Sequence, residues 1–211
     1  IAAITNHKEF YGLDFFVNKH VLIPRPDTEL MIDEATRIMN QELRIMDKGI
    51  LYIDVGTGSG CIPISVLKTI PIKPAKTIAI DISWAALHVA KKNAKQHKVD
   101  IHFLRGNLLK PLLHNTKFRI QNSTIITANL PYLTQAQFEN EPSIQREPKK
   151  ALVAKKDGLA LYEKLLTQTT LLPTNLQKIL LLEIDPSQTN KITVLIKQIL
   201  PTATTEIKKD L

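Results

Sequence analysis

Short runs of β-branched and apolar residues alternate along this chain with longer stretches whose apolar positions recur every three or four residues. Period two buries one face of a strand and period 3.6 one face of a helix, so the alternation predicts an α/β fold. "HKEFYGLDFFVNKH" (7–20) reads as a hairpin, two strand-like arms around Gly12 and Asp14. "DTELMIDEATRIMNQEL" (27–43) sets Leu30, Ile32, Ala35, Ile38 and Met39 near helical spacing, with Asp27 or Thr28 as the expected N-cap. Strands are then expected at 49–55, 76–81, 99–106, 123–129, 177–184 and 202–208, and helices at 61–70, 83–97, 157–172 and 187–200. Pro63 falls in the first turn of its helix, where a missing N–H costs nothing. Right-handed crossovers would gather the strands into one mainly parallel sheet with helices on both faces. Such a sheet binds ligands beyond the carboxyl ends of its strands, near the switch point of strand order.

Composition narrows the class. At 211 residues and 44% hydrophobic, the chain can bury a sizeable core. Its apolar runs are too short to span a bilayer, so no membrane association is expected. The single Cys61 excludes a disulfide framework, and with no Cys/His cluster no metal is expected; Cys61 itself reads as a small packed residue, and a reducing cytoplasm as the compartment. Twenty-eight basic against 20 acidic residues give a net charge of +8, which suits an acidic partner or simply a Lys-rich solvated surface. Aromatics at 5% leave little for a base-stacking platform.

The candidate chemistry lies where the strands end. "DVGTGSG" (54–60) is a glycine-rich strand-to-helix loop containing Asp54, Gly56, Thr57 and Gly58. Its G-x-G-x-G spacing differs from the G-x-G-x-x-G of dinucleotide sites. The preceding carboxylate would repel phosphate but suits a sulfonium or an ammonium. S-adenosylmethionine therefore fits better than a nicotinamide dinucleotide. Asp81, followed by Ile82, ends the next strand, where a carboxylate can accept from both ribose hydroxyls. Asn107 follows the third strand, where its oxygen could accept from an adenine amino group. Trp84 reads as helix-start core packing or, alternatively, as a wall of the adenine pocket.

"TANLPYLT" (127–134) stops an apolar strand with Asn129, Leu130, Pro131 and Tyr132. An amide or exocyclic amine nitrogen attacks a methyl group poorly, because its lone pair is delocalised, and it needs orientation more than a strong base. The Asn129 side-chain oxygen and the Leu130 carbonyl can each accept one N–H of such a group, favouring the charge that develops on nitrogen. Pro131 stiffens the loop and Tyr132 offers a flat face to a planar substrate.

These blocks give the chain a family resemblance. "NHKEFYGLDFFVNKHVLIPRPDTE", "DVGTGSGCIPI", "DISWAALHVAKKNA" and "EPKKALVAKKDGLALYEKL" resemble, nearly end to end, the HemK/PrmC class of S-adenosylmethionine-dependent glutamine methyltransferases. The resemblance implies a Rossmann-like class I methyltransferase fold, preceded by a hairpin and a helix. It implies methyl transfer to the GGQ glutamine of class I peptide-chain release factors, with S-adenosylhomocysteine as product. By position, Asp54, Gly56, Thr57, Gly58, Asp81, Ile82, Asn107 and Asn129 would bind the cofactor. Pro24, Arg25, Pro26, Thr28 and Glu29 would shape the pocket, and Asn129 to Tyr132 would grip the substrate amide. Arg25 is expected to act as a surface or salt-bridged arginine more than as a direct ligand.

The chain departs from the family pattern at several points. Leu130 stands for the first proline of N-P-P-Y, Asn107 for an aspartate, and Asp185 for a glycine. Residues 1–48 are expected to form the hairpin, IPRP loop and lead-in helix, and 49–211 the methyltransferase domain, without the family's N-terminal helical domain or last strand. A monomer acting on protein is expected, with nucleic acid not a substrate. Two alternatives stay open: an N6-adenine methyltransferase for RNA or DNA, since N-L-P-Y also occurs there, and a truncated cofactor-binding domain without turnover.

Overall fold

The computed structural model describes residues 5–45, 49–113, 123–173 and 177–209. It begins with an antiparallel hairpin of β1 (His7–Phe10) and β2 (Leu13–Phe16). Tyr11 and Gly12 form its two-residue turn, both with positive φ (52° and 69°), so that the turn twists in the same sense as the strands. Asp14 lies within β2 and not in the turn. The IPRP segment leads through a 3-10 turn (Pro26–Thr28) into α1 (Glu29–Ile45).

A five-stranded parallel sheet follows. Its central strand is β3 (Leu51–Val55), flanked on one side by β4 (Lys76–Asp81) and then β5 (His102–Arg105). On the other side lie β6 (Ser123–Ala128) and then β7 (Gln177–Leu182). Strand order therefore reverses between β3 and β6, where a crevice opens. All residues of β3 and β6 are buried, as expected of strands covered on both faces.

The two faces have separate partners. Tyr52 and Ile125 pack with Phe10 and Phe15 of the hairpin, Ile32 of α1, Ile64 of α2 (Cys61–Thr69) and Val89 of α3 (Trp84–His97). Ile53, Val55 and Ile126 pack against Leu109, Leu165 of α6 (Ala160–Thr170) and Ile192 of α7 (Thr189–Ile199). Two short helices, α4 (Lys110–Leu113) and α5 (Gln135–Asn140), were not foreseen; α5 starts at a capping box of Thr134 and Gln137. Among the described residues no helix is long and apolar enough to cross a membrane.

Three sequence expectations are corrected. The 202–208 segment forms no strand: it runs exposed, and Lys208 Nζ reaches Glu34 at 2.6 Å. Its β-branched residues have strand propensity, but the segment pairs with none of the described strands, and propensity without a ladder makes no strand. Neither Asp27 nor Thr28 caps α1, since both belong to the 3-10 turn and the Thr28 hydroxyl is engaged elsewhere. Trp84 is 53% exposed and not part of the core; the Arg105 guanidinium lies 5.5 Å from its ring centre.

Candidate active site

A cavity of about 460 Å³ opens at the carboxyl ends of β3, β4 and β6, at the reversal of strand order. The loops after all three strands line it, together with the 19–25 segment and residues 148–151. Of the sequence-identified residues, Gly56, Thr57, Gly58, Asp81, Ile82 and Asn107 meet there with Asn129, Leu130 and Pro131. Pro24, Arg25 and Thr28 also line it. Asp54, Pro26, Glu29 and Tyr132 do not.

The glycine loop is held largely by backbone. Gly56 N and Thr57 N donate to the Ile80 carbonyl at 2.8 and 3.0 Å, which ties the end of β3 to β4. Gly56 has φ +76°, which disfavours any side chain, and its missing Cβ leaves room for Leu130 Cδ2, which would lie 2.9 Å away. Asp81 Oδ2 accepts from Gly58 N at 2.9 Å and Oδ1 from Ser83 N at 2.8 Å. Burial raises the Asp81 pKa, and these backbone N–H groups oppose the rise. Each oxygen keeps a lone pair for a hydroxyl in the cavity.

Asp54 sits beneath the loop, 1% exposed. Its Oδ1 accepts from the Thr127 hydroxyl at 2.7 Å; Oδ2 has no partner within hydrogen-bond distance, but the nearby Thr57 hydroxyl also stabilises the charge. Burial pushes its pKa up to about 6. Asp54 does not line the cavity, so when ionised its charge would favour a cationic ligand there through space and not by direct contact. Cys61 also borders the cavity, with its thiol pushed up to about 12 by burial, so it is no nucleophile at neutral pH.

At the other end, Asn129 Nδ2 donates to Thr28 Oγ1 at 3.1 Å. That bond leaves Oδ1, the acceptor end of the amide, for the cavity. Leu130 N donates to the Tyr162 hydroxyl at 3.2 Å, and that hydroxyl has two acceptors within reach, the Leu130 carbonyl at 3.3 Å and the Glu183 carbonyl. A carbonyl oxygen has two lone pairs, so the Leu130 carbonyl keeps accepting capacity whichever of the two takes the proton. The Tyr132 hydroxyl turns away from the cavity, toward Glu183 Oε1 at 3.4 Å. Glu29 is equally remote; its carboxylate accepts from Tyr11 N at 3.0 Å and joins α1 to the hairpin turn.

The supports of this turn come from far along the chain. Gly158 has φ +85°, and a Cβ there would fall 1.8 Å from the Tyr132 carbonyl. Gln188 Nε2 donates to that carbonyl at 2.9 Å and to the Asp157 carbonyl at 2.7 Å. Leu133 bridges to Val153 in parallel register. The "ALVAKKDGLALY" block is thus the backing of N-L-P-Y. Glu147 accepts from Ile23 N at 2.9 Å and pairs with Arg25, which clasps the IPRP loop across the cavity mouth. Arg25 is thereby salt-bridged, one of the two forms the sequence left open.

Five residues went unnoticed in the sequence: Asn93, Thr127, Tyr162, Glu183 and Gln188. Asn93, fully buried, donates to the Phe16 and Ser59 carbonyls and accepts from Phe16 N, so it joins hairpin to glycine loop. A fully buried amide within a helix has to be paired, and its place on the inward face was the available signal. Thr127 and Glu183 sit at strand ends beside apolar runs, which marks them as strand-end polar residues without naming a partner.

Residues 28–140 match the methyltransferase small domain family. The release factor glutamine methyltransferase of Bacillus anthracis is 34% identical over 216 residues, covering 100% of this chain and 72% of the relative. The chain belongs to the release factor glutamine methyltransferase family. The Enterococcus faecalis member is 35% identical over 205 residues, covering 96% of this chain and 69% of that protein. Among solved structures, the N-terminal domain of human METTL16 in complex with SAH superposes with a TM-score of 0.59 at 16% identity, covering 89% of this chain and 67% of that one. Such a likeness carries the fold alone, the Rossmann-like class I methyltransferase sheet with helices on both faces.

Proposed function

We propose that this chain transfers a methyl group from S-adenosylmethionine to the side-chain amide nitrogen of the GGQ glutamine in class I release factors. The observation that carries the reading is the Asn129 amide, fixed by Thr28 with its acceptor end left to a cavity shared with Asp81 and the glycine loop. Asp81 would accept from the ribose hydroxyls, Asn107 from adenine, and the Asp54 charge would favour the cationic end of the cofactor through space. When bound, the cofactor supplies an electrophilic methyl whose S–C bond breaks as the new N–C bond forms, leaving the thioether S-adenosylhomocysteine. Asn129 Oδ1 and the Leu130 carbonyl would each take one amide N–H, turning the nitrogen lone pair toward the methyl. Both acceptors stabilise the positive charge that nitrogen gains, until its extra proton leaves to solvent. Arg25, Pro24 and Thr28 line the cavity and would help shield the reactants from water.

The enzyme would act as a monomer in the cytoplasm, on protein and not on nucleic acid. The test is labelled S-adenosylmethionine with a release factor, its GGQ-glutamine variant and ribosomal RNA. Label on the wild-type factor alone is expected; label on RNA would overturn the reading. Asn129→Ala should abolish transfer while cofactor affinity stays within about threefold, because the amide serves the transition state.

A further inference from the structure

Behind the Asn129 amide lies a carboxylate that this mechanism does not use. Glu183 follows β7, and its Oε1 accepts from the Tyr132 hydroxyl at 3.4 Å. Its Oε2 is buried without a hydrogen-bond partner. The Thr28 hydroxyl and the Asn129 side chain are its polar neighbours and stabilise its charge. Asn129 Nδ2 already donates to Thr28 Oγ1, so the hydrogen-bearing end of the amide is the end turned toward Thr28, and the Asn129 side chain lowers the pKa of Glu183 as a hydrogen-bearing group would.

We propose that Glu183 is a positioning residue for methyl transfer: its carboxylate dictates which end of the Asn129 amide faces the cavity. An ionised carboxylate only accepts hydrogen bonds, so every polar group turned toward it must present a hydrogen. A flipped Asn129 would set Oδ1 against that negative charge and offer Nδ2, a donor, to a substrate nitrogen that itself donates. The charge therefore selects the productive orientation. Rotation by 180° about the last side-chain bond changes the amide's shape very little, so packing alone does not choose between the two. Thr28 relays the same preference, because its hydroxyl is free to accept from Asn129 when its own hydrogen turns toward Glu183. The inference rests on the proposed role of Asn129 as acceptor of the substrate amide.

Charge on Glu183 is sensitive to its surroundings. Burial raises its pKa above the ordinary carboxylate range, and Asp27, from the turn before α1, raises it further. Tyr132 and Tyr162 face it from the N-L-P-Y turn and α6, both with pKa values raised, and Cys61 faces it from α2. None of these three is charged at neutral pH. Lowering the pH then protonates Glu183, gives it a donor, and removes the selection.

The experiment compares wild type with Glu183→Gln at saturating cofactor, with a release factor as methyl acceptor. The neutral variant should lower kcat on the order of tenfold to a hundredfold. Cofactor Kd should stay within about threefold. The fall of kcat at acid pH should be present in wild type and absent in the variant. Without any substrate, the Asn129 side-chain amide proton signals should shift between the two proteins. Should Glu183→Gln fold poorly by thermal melting, Thr28→Val removes the relaying hydroxyl with Glu183 in place and should show the same loss of kcat. Wild-type kcat with the acid limb intact in the variants overturns the role of Glu183 and leaves the function standing. Absence of transfer by wild type to the factor's glutamine overturns the function itself.

Discussion

The two ends of the cavity are built differently. At the glycine-loop end the parts are neighbours in sequence and the bonds are mostly backbone: Gly56, Thr57 and Gly58 are tied to Ile80 and Asp81 across one strand pair. At the N-L-P-Y end the bonds are mostly made by side chains, contributed from Thr28, Tyr162, Glu183 and Gln188, while Gly158 leaves room for the Tyr132 carbonyl. The first end holds a ligand with a loop whose shape glycine permits. The second holds one amide in one orientation, which takes converging side chains from four separate segments. Damage at the first end should appear in cofactor affinity, and damage at the second in the rate of transfer.

The largest break is expected at Gly158. Its φ of +85° disfavours any side chain, and a Cβ would meet the Tyr132 carbonyl at 1.8 Å, so Gly158→Ala must push the N-L-P-Y turn aside. A displacement of about 1 Å at a reacting group can cost about a hundredfold, and kcat should fall by at least that much. Cofactor affinity, read by calorimetry, should change much less. A comparable loss in both would erase the distinction between the two ends.

Asp81→Ala is the counterpart. It removes the acceptor of Gly58 N and Ser83 N as well as the contact offered to the ribose hydroxyls. Hydrogen bonds to a charged group are worth about 1.5–3 kcal/mol, so cofactor Kd should rise roughly tenfold to a hundredfold. With cofactor saturating, kcat should stay near the wild-type value. A lower kcat with unchanged affinity would move Asp81 from binding to chemistry.

The same difference explains what the sequence disclosed. The glycine loop, Asp81 and Asn107 each follow a strand that periodicity identifies, so topology alone brings them to one crevice. Asn129 was legible for that reason too. Thr28 and Glu183 were not legible in their roles, because a hydrogen bond across 101 residues leaves no local pattern. Thr28 even carried a misleading local signal, standing where an N-cap belongs before an amphipathic helix. The lost strand at 202–208 has the same origin: propensity is local, whereas a ladder needs a neighbour that only the fold provides.

Asp54 gives a titration that separates the ends. Burial pushes its pKa from 3.8 up to about 6. Between those values the folded chain holds a proton that the unfolded chain has lost. Its contribution to stability is therefore complete below the lower value, declines as pH rises, and is exhausted near pH 6. A cationic ligand reverses the preference and binds the ionised form. Cofactor affinity should thus fall about tenfold from pH 7 to pH 5, with proton release on binding near pH 6. In Asp54→Asn both the slope and the proton release should vanish, as calorimetry in buffers of different ionisation enthalpy would measure. The Glu183 limb lies in kcat at saturating cofactor, so the two carboxylates are distinguishable in one protein.

The smallest expected effect comes from the clasp that spans both ends. Glu147 binds Ile23 N and Arg25, and with Arg25 it joins the IPRP loop to the segment that continues into Pro148 and Lys150 on the cavity wall. Glu147→Gln keeps an acceptor for Ile23 N and loses only the charge facing Arg25. The Arg25 side chain is 34% exposed, so water screens much of that pairing. The variant should weaken cofactor binding and transfer together by about twofold to fivefold. Arg25→Gln should do the same, and the double variant should be no worse than either single one, since both remove one interaction. Additive losses would mean that Arg25 also contacts the bound reactants. The clasp would then be part of the reaction end and not a strap across both.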